Sequence, residues 1–213
     1  MHRSRVVVAG LLVPVLCPIA AQADIIEAGG AAVLAEPPAN IALNQWESDT
    51  EIRGFFERQA VLFSDLTLDH ANTGLVDHES LLVPGFVSAG TAVQSYLFHA
   101  DSVDDFDALL SGYVVFDAPI LGVLIHTASM NGTDGILGHP GITQYGTHPG
   151  RRLELPPSSL DTFEISGDRM RLDFTLKFAA ANDNIRIITA IPEPASLALL
   201  SSVGLAGMRR RRV

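Results

Sequence analysis

Cysteine is nearly missing from this 213-residue chain: the single one, Cys17, sits in an apolar stretch near the N-terminus. From residue 24 onward no disulfide and no thiolate nucleophile is available, so stability there rests on a hydrophobic core. Basic charge is scarce as well. Six of the 14 Lys and Arg are Arg3, Arg5, Arg209, Arg210, Arg211 and Arg212, which leaves eight against 24 Asp and Glu, about −16 for the remainder. That surplus repels nucleic-acid phosphates and anionic lipid alike, so no nucleic-acid partner is expected. The G-x-S-x-G elbow, the H-E-x-x-H zinc motif and the phosphate-cradling loop are absent too.

What is present begins with two ends that read as addresses. A basic start (Arg3, Arg5), an apolar run over 6–20 and Ala21-Gln22-Ala23 have the three parts of a secretory signal peptide, residues 1–23. Signal peptidase would recognise Ala21 and Ala23 and cut after Ala23, and Asp24 would open the exported chain. Pro14 and Pro18 argue against a permanent membrane helix. Leu16 precedes Cys17 where a lipoprotein signal wants a small residue. At the other end stand Pro192-Glu193-Pro194, an apolar run over 195–208 and four arginines. Fourteen residues in a helix span roughly 21 Å. That is short of the ~30 Å hydrocarbon core, so flanking residues must help such a transmembrane helix. Arg209, Arg210, Arg211 and Arg212 would hold its end on the cytoplasmic side.

These three elements, in this order over roughly the last 23 residues, closely resemble the PEP-CTERM sorting tail of Gram-negative bacteria. The resemblance implies an exosortase, a membrane protease-transpeptidase, as partner, with cleavage near the Pro-Glu-Pro motif. Pro192, Glu193 and Pro194 would be recognition residues acted on by that enzyme. The tail would hold the protein at the inner membrane only transiently. Family members usually come from bacteria that build an extracellular polysaccharide matrix, which implies a biofilm-matrix or surface setting.

The segment between, residues 24–190, reads as strands. Over 169–178, Met170, Leu172, Phe174, Leu176 and Phe178 alternate with polar residues, the period of a half-buried strand with one wet face. Residues 162–165 and a turn at 166–168 supply a hairpin partner. Runs at 60–68, 92–99, 111–117, 120–125 and 184–189 add further strands, the last closing a sheet, and Pro119 hinges two of them. Residues 24–35 and 52–58 are weaker strand candidates. The stretch 103–110 offers one short helical turn, and no long amphipathic helix stands out. Seven or more short strands predict an all-β fold, a jelly-roll-like β-sandwich ectodomain. Segments at 58–61, 89–97 and 115–123 are similar to PEP-CTERM ectodomains of unassigned function, a likeness that implies the sandwich and no activity.

Chemistry is represented only by candidates. Residues 127–152 hold six glycines together with Asn131, Asp134, His139, Gln144, Tyr145 and His148, and read as a long irregular loop. There an aromatic ring and polar groups would suit a sugar. Trp46, the other aromatic candidate, reads as core. Six histidines follow residue 24 (His70, His78, His99, His126, His139 and His148) in spacings that match no metal motif. Asp101, Asp104, Asp105 and Asp107 offer oxygens to calcium, the one cofactor the sequence would accommodate, without the ligand pattern of an EF-hand loop. The expected function is a non-enzymatic exported surface or matrix protein. Two alternatives stay open: a carbohydrate-binding module using loop 127–152, and a sandwich glycan hydrolase. The latter needs two carboxylates about 5–10 Å apart, with Asp117 and Asp134 the ones to inspect.

Overall fold

The computed structural model describes residues 24–191. In chain order its elements are β1 (Ile25–Gly30), β2 (Ala32–Leu34), β3 (Ile52–Val61), β4 (Leu66–Leu68), β5 (Gly74–Val76), β6 (Gly85–Val87), β7 (Ala92–Ala100), β8 (Ala108–Phe116), β9 (Ile120–Leu124), α1 (Thr127–Leu137), β10 (Thr162–Ile165), β11 (Arg171–Phe178) and β12 (Asp183–Ala190). One five-stranded sheet has the order β1-β8-β11-β10-β5, the other β2-β3-β7-β12-β9, and β4 pairs with β6 separately. Pairing within the two large sheets is antiparallel except between β2 and β3. The expected all-β sandwich is what these sheets form, with the chain crossing between them at β1/β2, β7/β8, β8/β9, β9/β10 and β11/β12, and twice more into and out of β5.

Alternation places the core. Along β11, Leu172, Phe174, Leu176 and Phe178 are buried while Arg171, Asp173, Thr175 and Lys177 stay part-exposed, as a half-buried strand requires. Their rings and methyls meet the second sheet: Phe98 packs on Phe174 at 5.3 Å between centroids and Tyr96 on Phe116 at 5.0 Å. Gly54 sits where a Cβ would run into the Phe98 ring, so glycine there is a packing requirement. A second apolar cluster lies on the other face of the second sheet. Phe55, Val93, Leu97, Leu124 and Ile188 are covered there by Met130 and Leu137 of α1 and by Leu66, Leu68 and Val87 of the small sheet. β7 and β12 are therefore buried on both faces.

Several sequence expectations need correcting. The strand expected over 60–68 breaks after Val61, because Leu62 turns inward to hydrogen-bond Thr91 and Gly90 while Phe63 points to solvent. β12 does not close its sheet; it lies between β7 and β9. The helical turn expected over 103–110 is confined to a 3-10 turn at Val103–Asp105, and β8 begins at Ala108. Most consequentially, the expected loop 127–152 opens with the 11-residue helix α1. Gly132 and Gly135 lower its propensity by about 1 kcal/mol each relative to Ala, which is why the pattern reads as loop. Burial of Met130, Thr133 and Leu137 overrides that cost. Outside the helix's own backbone, a methyl at either glycine would meet no atom within 4 Å. Gly132→Ala and Gly135→Ala should therefore each raise unfolding free energy by about 0.5–1 kcal/mol in urea. A loss would show that the backbone there needs glycine.

The expected signal helix, the cleavage residues Ala21 and Ala23, the motif Pro192-Glu193-Pro194, the apolar tail helix and Arg209 to Arg212 lie outside the described residues. Among the described residues no helix is long and apolar enough to cross a membrane.

Candidate functional site

Strand parity turns Arg186 of β12 to the same face as Ile188, under α1, and leaves it fully buried. Its guanidinium forks onto Glu57 of β3, Nε to Oε2 at 2.7 Å and Nη2 to Oε1 at 2.8 Å. Nη2 also reaches Asp134 Oδ1 at 2.7 Å, and Nη1 donates to Thr133 Oγ1 at 2.8 Å and the Met130 carbonyl at 3.1 Å. Arg151, equally buried, grips the same Asp134 through two bonds of 2.6 and 3.0 Å and donates to Asn131 Oδ1 at 3.0 Å. Tyr145 lies between the two guanidiniums, its ring 5.3 Å from the Arg151 carbon and 5.6 Å from that of Arg186. Ser95 adds a hydroxyl to Glu57 at 2.5 Å. Two cations thus face two anions, and such burial is tolerated only because each charge is paired and hydrogen-bonded. Burial alone would lower the Arg186 pKa; the charges and bonds of Glu57, then Asp134, outweigh it and raise it. Burial, with Glu57 beside it, pushes the Tyr145 hydroxyl up.

Of the six residues expected to line a ligand loop, the structure gathers three, Asn131, Asp134 and Tyr145, around these arginines. His139 gives its amide to the Tyr145 hydroxyl at 2.8 Å. Gln144 and His148 are exposed; His148 Nδ1 accepts the Gly150 amide at 3.0 Å. Glu57, Arg151 and Arg186 were missed by sequence reasoning. The one available signal was an arginine between isoleucines in a strand without other long polar side chains.

A second constellation anchors the start of α1. Asp69 Oδ2 accepts the amides of Ile125 (2.7 Å) and His126 (2.9 Å) and the Ser129 hydroxyl (2.5 Å). His126 lies between carboxylates, Nδ1 3.2 Å from Asp69 and Nε2 3.5 Å from Glu79. The bond to Asp69 raises the imidazole pKa. Burial works to raise the Asp69 carboxyl, but its hydrogen bonds outweigh that and bring it down. Ser129 bonds Asp69 and the His126 carbonyl rather than the imidazole, so Ser129 and His126 do not form a nucleophile–base pair. A shallow cleft of about 510 Å³ opens beside His126, Asn131 and Arg152.

The other candidates are placed individually. His70 takes the Val83 amide on Nδ1 and meets the Asn72 carbonyl through Nε2. His78 caps a 3-10 turn by accepting the Ser80 amide. His99, stacked on Trp46 at 5.7 Å, is pushed by burial down to about 4, and burial drives Asp101, 4.0 Å away, up to about 6. Both shifts disfavour the charged forms, so burial works against an ion pair between them. Asp104, Asp105 and Asp107 are exposed, apart from buried Asp101. Asp117 accepts the Asp24 amide at 2.8 Å, while Asp134 is spent on the two arginines. Among the described residues no three His, Cys, Asp or Glu side chains are gathered to hold a metal ion.

The outer face of the first sheet mixes polar side chains with the exposed Leu75 and Leu109. Ser111 bonds Thr175 at 2.8 Å, Tyr113 donates to Glu27 at 2.5 Å, and Arg171 lies 3.7 Å over the Tyr113 ring while paired to Asp173. A groove of about 230 Å³ runs there along Thr162, Glu164, Asp173 and Thr175.

Fold and sites together define an acidic all-β sandwich whose most conspicuous charges are used internally. The profile of the PEP-CTERM protein-sorting motif matches residues 190–212, so the chain carries the tail that marks a PEP-CTERM protein. That motif means export, sorting to the cell surface and exosortase as processing partner. No curated protein and no solved structure matches the chain.

Proposed function

We propose that this chain is a non-enzymatic surface or matrix protein, secreted by signal-peptidase cleavage after Ala23 and released from its tail by exosortase. Before processing, the apolar run and Arg209 to Arg212 hold it briefly in the inner membrane. Its destination is the extracellular polysaccharide. The observation that carries this reading is the sorting motif at 190–212. The sandwich adds support at two places, since Asp134 is spent on two buried arginines and Asp69 on fastening the start of α1. A second reading, a carbohydrate-binding module, draws support from the outer sheet face, where hydroxyls, carboxylates and Leu75 line an open groove.

Fractionation of cultures tests the proposal. The protein should sediment with extracellular polysaccharide and move to the soluble fraction when that polysaccharide is depolymerised. Partition unaffected by depolymerisation would refute the matrix association, and release of reducing sugar ends by the purified protein would refute the non-enzymatic role.

A further inference from the structure

We propose that the end of the sandwich where β12 begins binds a divalent cation of the calcium class through Asp183 and Glu154. Asp183 is 3% exposed, and its Oδ2 has no hydrogen-bond partner. It lines an open pocket of about 310 Å³ together with Glu154, Asp107, Lys177, Ser158 and Ser159. Lys177, the one cation of that lining, is paired to Asp107 at 3.5 Å. Burial raises the Asp183 carboxyl well above its ordinary range, and the neighbouring charges Asp161, Glu154 and Asp101 add to that. Asp161 is itself tied to the amides of Glu154 (2.6 Å) and Lys177 (2.7 Å), which holds the 154–161 segment over the pocket.

The chemistry favours an oxygen-seeking ion. A buried carboxylate oxygen without a donor loses hydration and gains nothing, at a cost that only a proton or a cation removes. The pocket supplies carboxylates, hydroxyls and the main chain of 178–181, hard oxygen donors without thiol or imidazole. Since no three acidic or histidine side chains stand ready-gathered, the ion takes two carboxylates and completes its shell with hydroxyls, carbonyls and water. That is the design of weak extracellular calcium sites, with dissociation constants of about 10⁻⁴–10⁻³ M. The acidic run Asp101, Asp104, Asp105 and Asp107, the sequence's candidate for calcium, contributes to this pocket only through Asp107.

Thermal melting of the exported protein at pH 7.5, with EDTA, calcium chloride or magnesium chloride, tests the site. Calcium at about 5 mM should raise Tm by roughly 3–5 °C, and magnesium by much less. Asp183→Asn should melt higher than wild type in EDTA, because a buried charge is gone, and should lose the calcium shift. Glu154→Gln, at a part-exposed position where the carboxylate pairs with Arg152 at 3.4 Å until the ion displaces it, should weaken calcium binding about tenfold or more and shrink the shift below about 1 °C. No shift in the wild type at about 10 mM calcium overturns the proposal. A full shift retained in either variant overturns it too, and Glu154→Gln alone decides if Asp183→Asn does not fold.

Discussion

Arg186→Met should cost about 3–5 kcal/mol of stability, enough to lower Tm by roughly 10 °C or more. The substitution keeps the volume of the side chain but strips the partner from Glu57, whose two oxygens lie 2.7 and 2.8 Å from the guanidinium with no exposure to water. Asp134 loses one of its two arginines at the same time. An uncompensated carboxylate in an apolar layer built from Phe55, Leu97, Ile188 and Met130 must either take up a proton or draw in water. Glu57→Gln alone should cost less, because Arg186 still holds Asp134 and the new amide still accepts a bond. The double variant Glu57→Gln/Arg186→Met should recover part of the single-variant loss, since both buried charges are removed together. Urea unfolding of the three proteins decides the matter. A cost under about 1 kcal/mol for Arg186→Met would show that the network does not hold α1 to the sheet.

Replacing Pro192, Glu193 and Pro194 by alanine should abolish tail processing altogether while leaving the sandwich folded. The profile match covers residues 190–212, so the substitution removes the recognition element without touching any strand: β12 ends at Ala190. The apolar run from Ala195 and the arginines from Arg209 remain, and they should keep the unprocessed chain with the inner membrane. Immunoblots should show a larger species in the membrane fraction and none at the surface. Undiminished surface protein from the alanine variant would mean that the motif is not what is read.

Much of the fold was legible because it rests on local alternation. Period two along 171–178 and the turn at 166–168 suffice to define the β10–β11 hairpin, and Pro119 separates β8 from β9 as its missing amide requires. What could not be read depends on partners distant in sequence. α1 contains two glycines and a weakly amphipathic pattern, and only its contact with β3 and β12 makes it a helix. The same distance hid the buried charge network, since Glu57 and Arg186 are 129 residues apart. Asn131, Asp134 and Tyr145 stand together in the sequence as in the fold, but the arginines they hold are not visible from their spacing. Asp183 gave no signal in the sequence because a lone aspartate before an apolar run is ordinarily a solvated strand end.

On the proposed function this sandwich is cargo, delivered by a signal that another enzyme cuts from it. The intact mass of the protein recovered from its native host, with and without a functional exosortase, tests it most directly. A chain beginning at Asp24 and ending near Pro192 to Pro194 is expected when exosortase is present, and a chain retaining Arg209 to Val213 when it is not. Retention of those residues in both strains would contradict the sorting account.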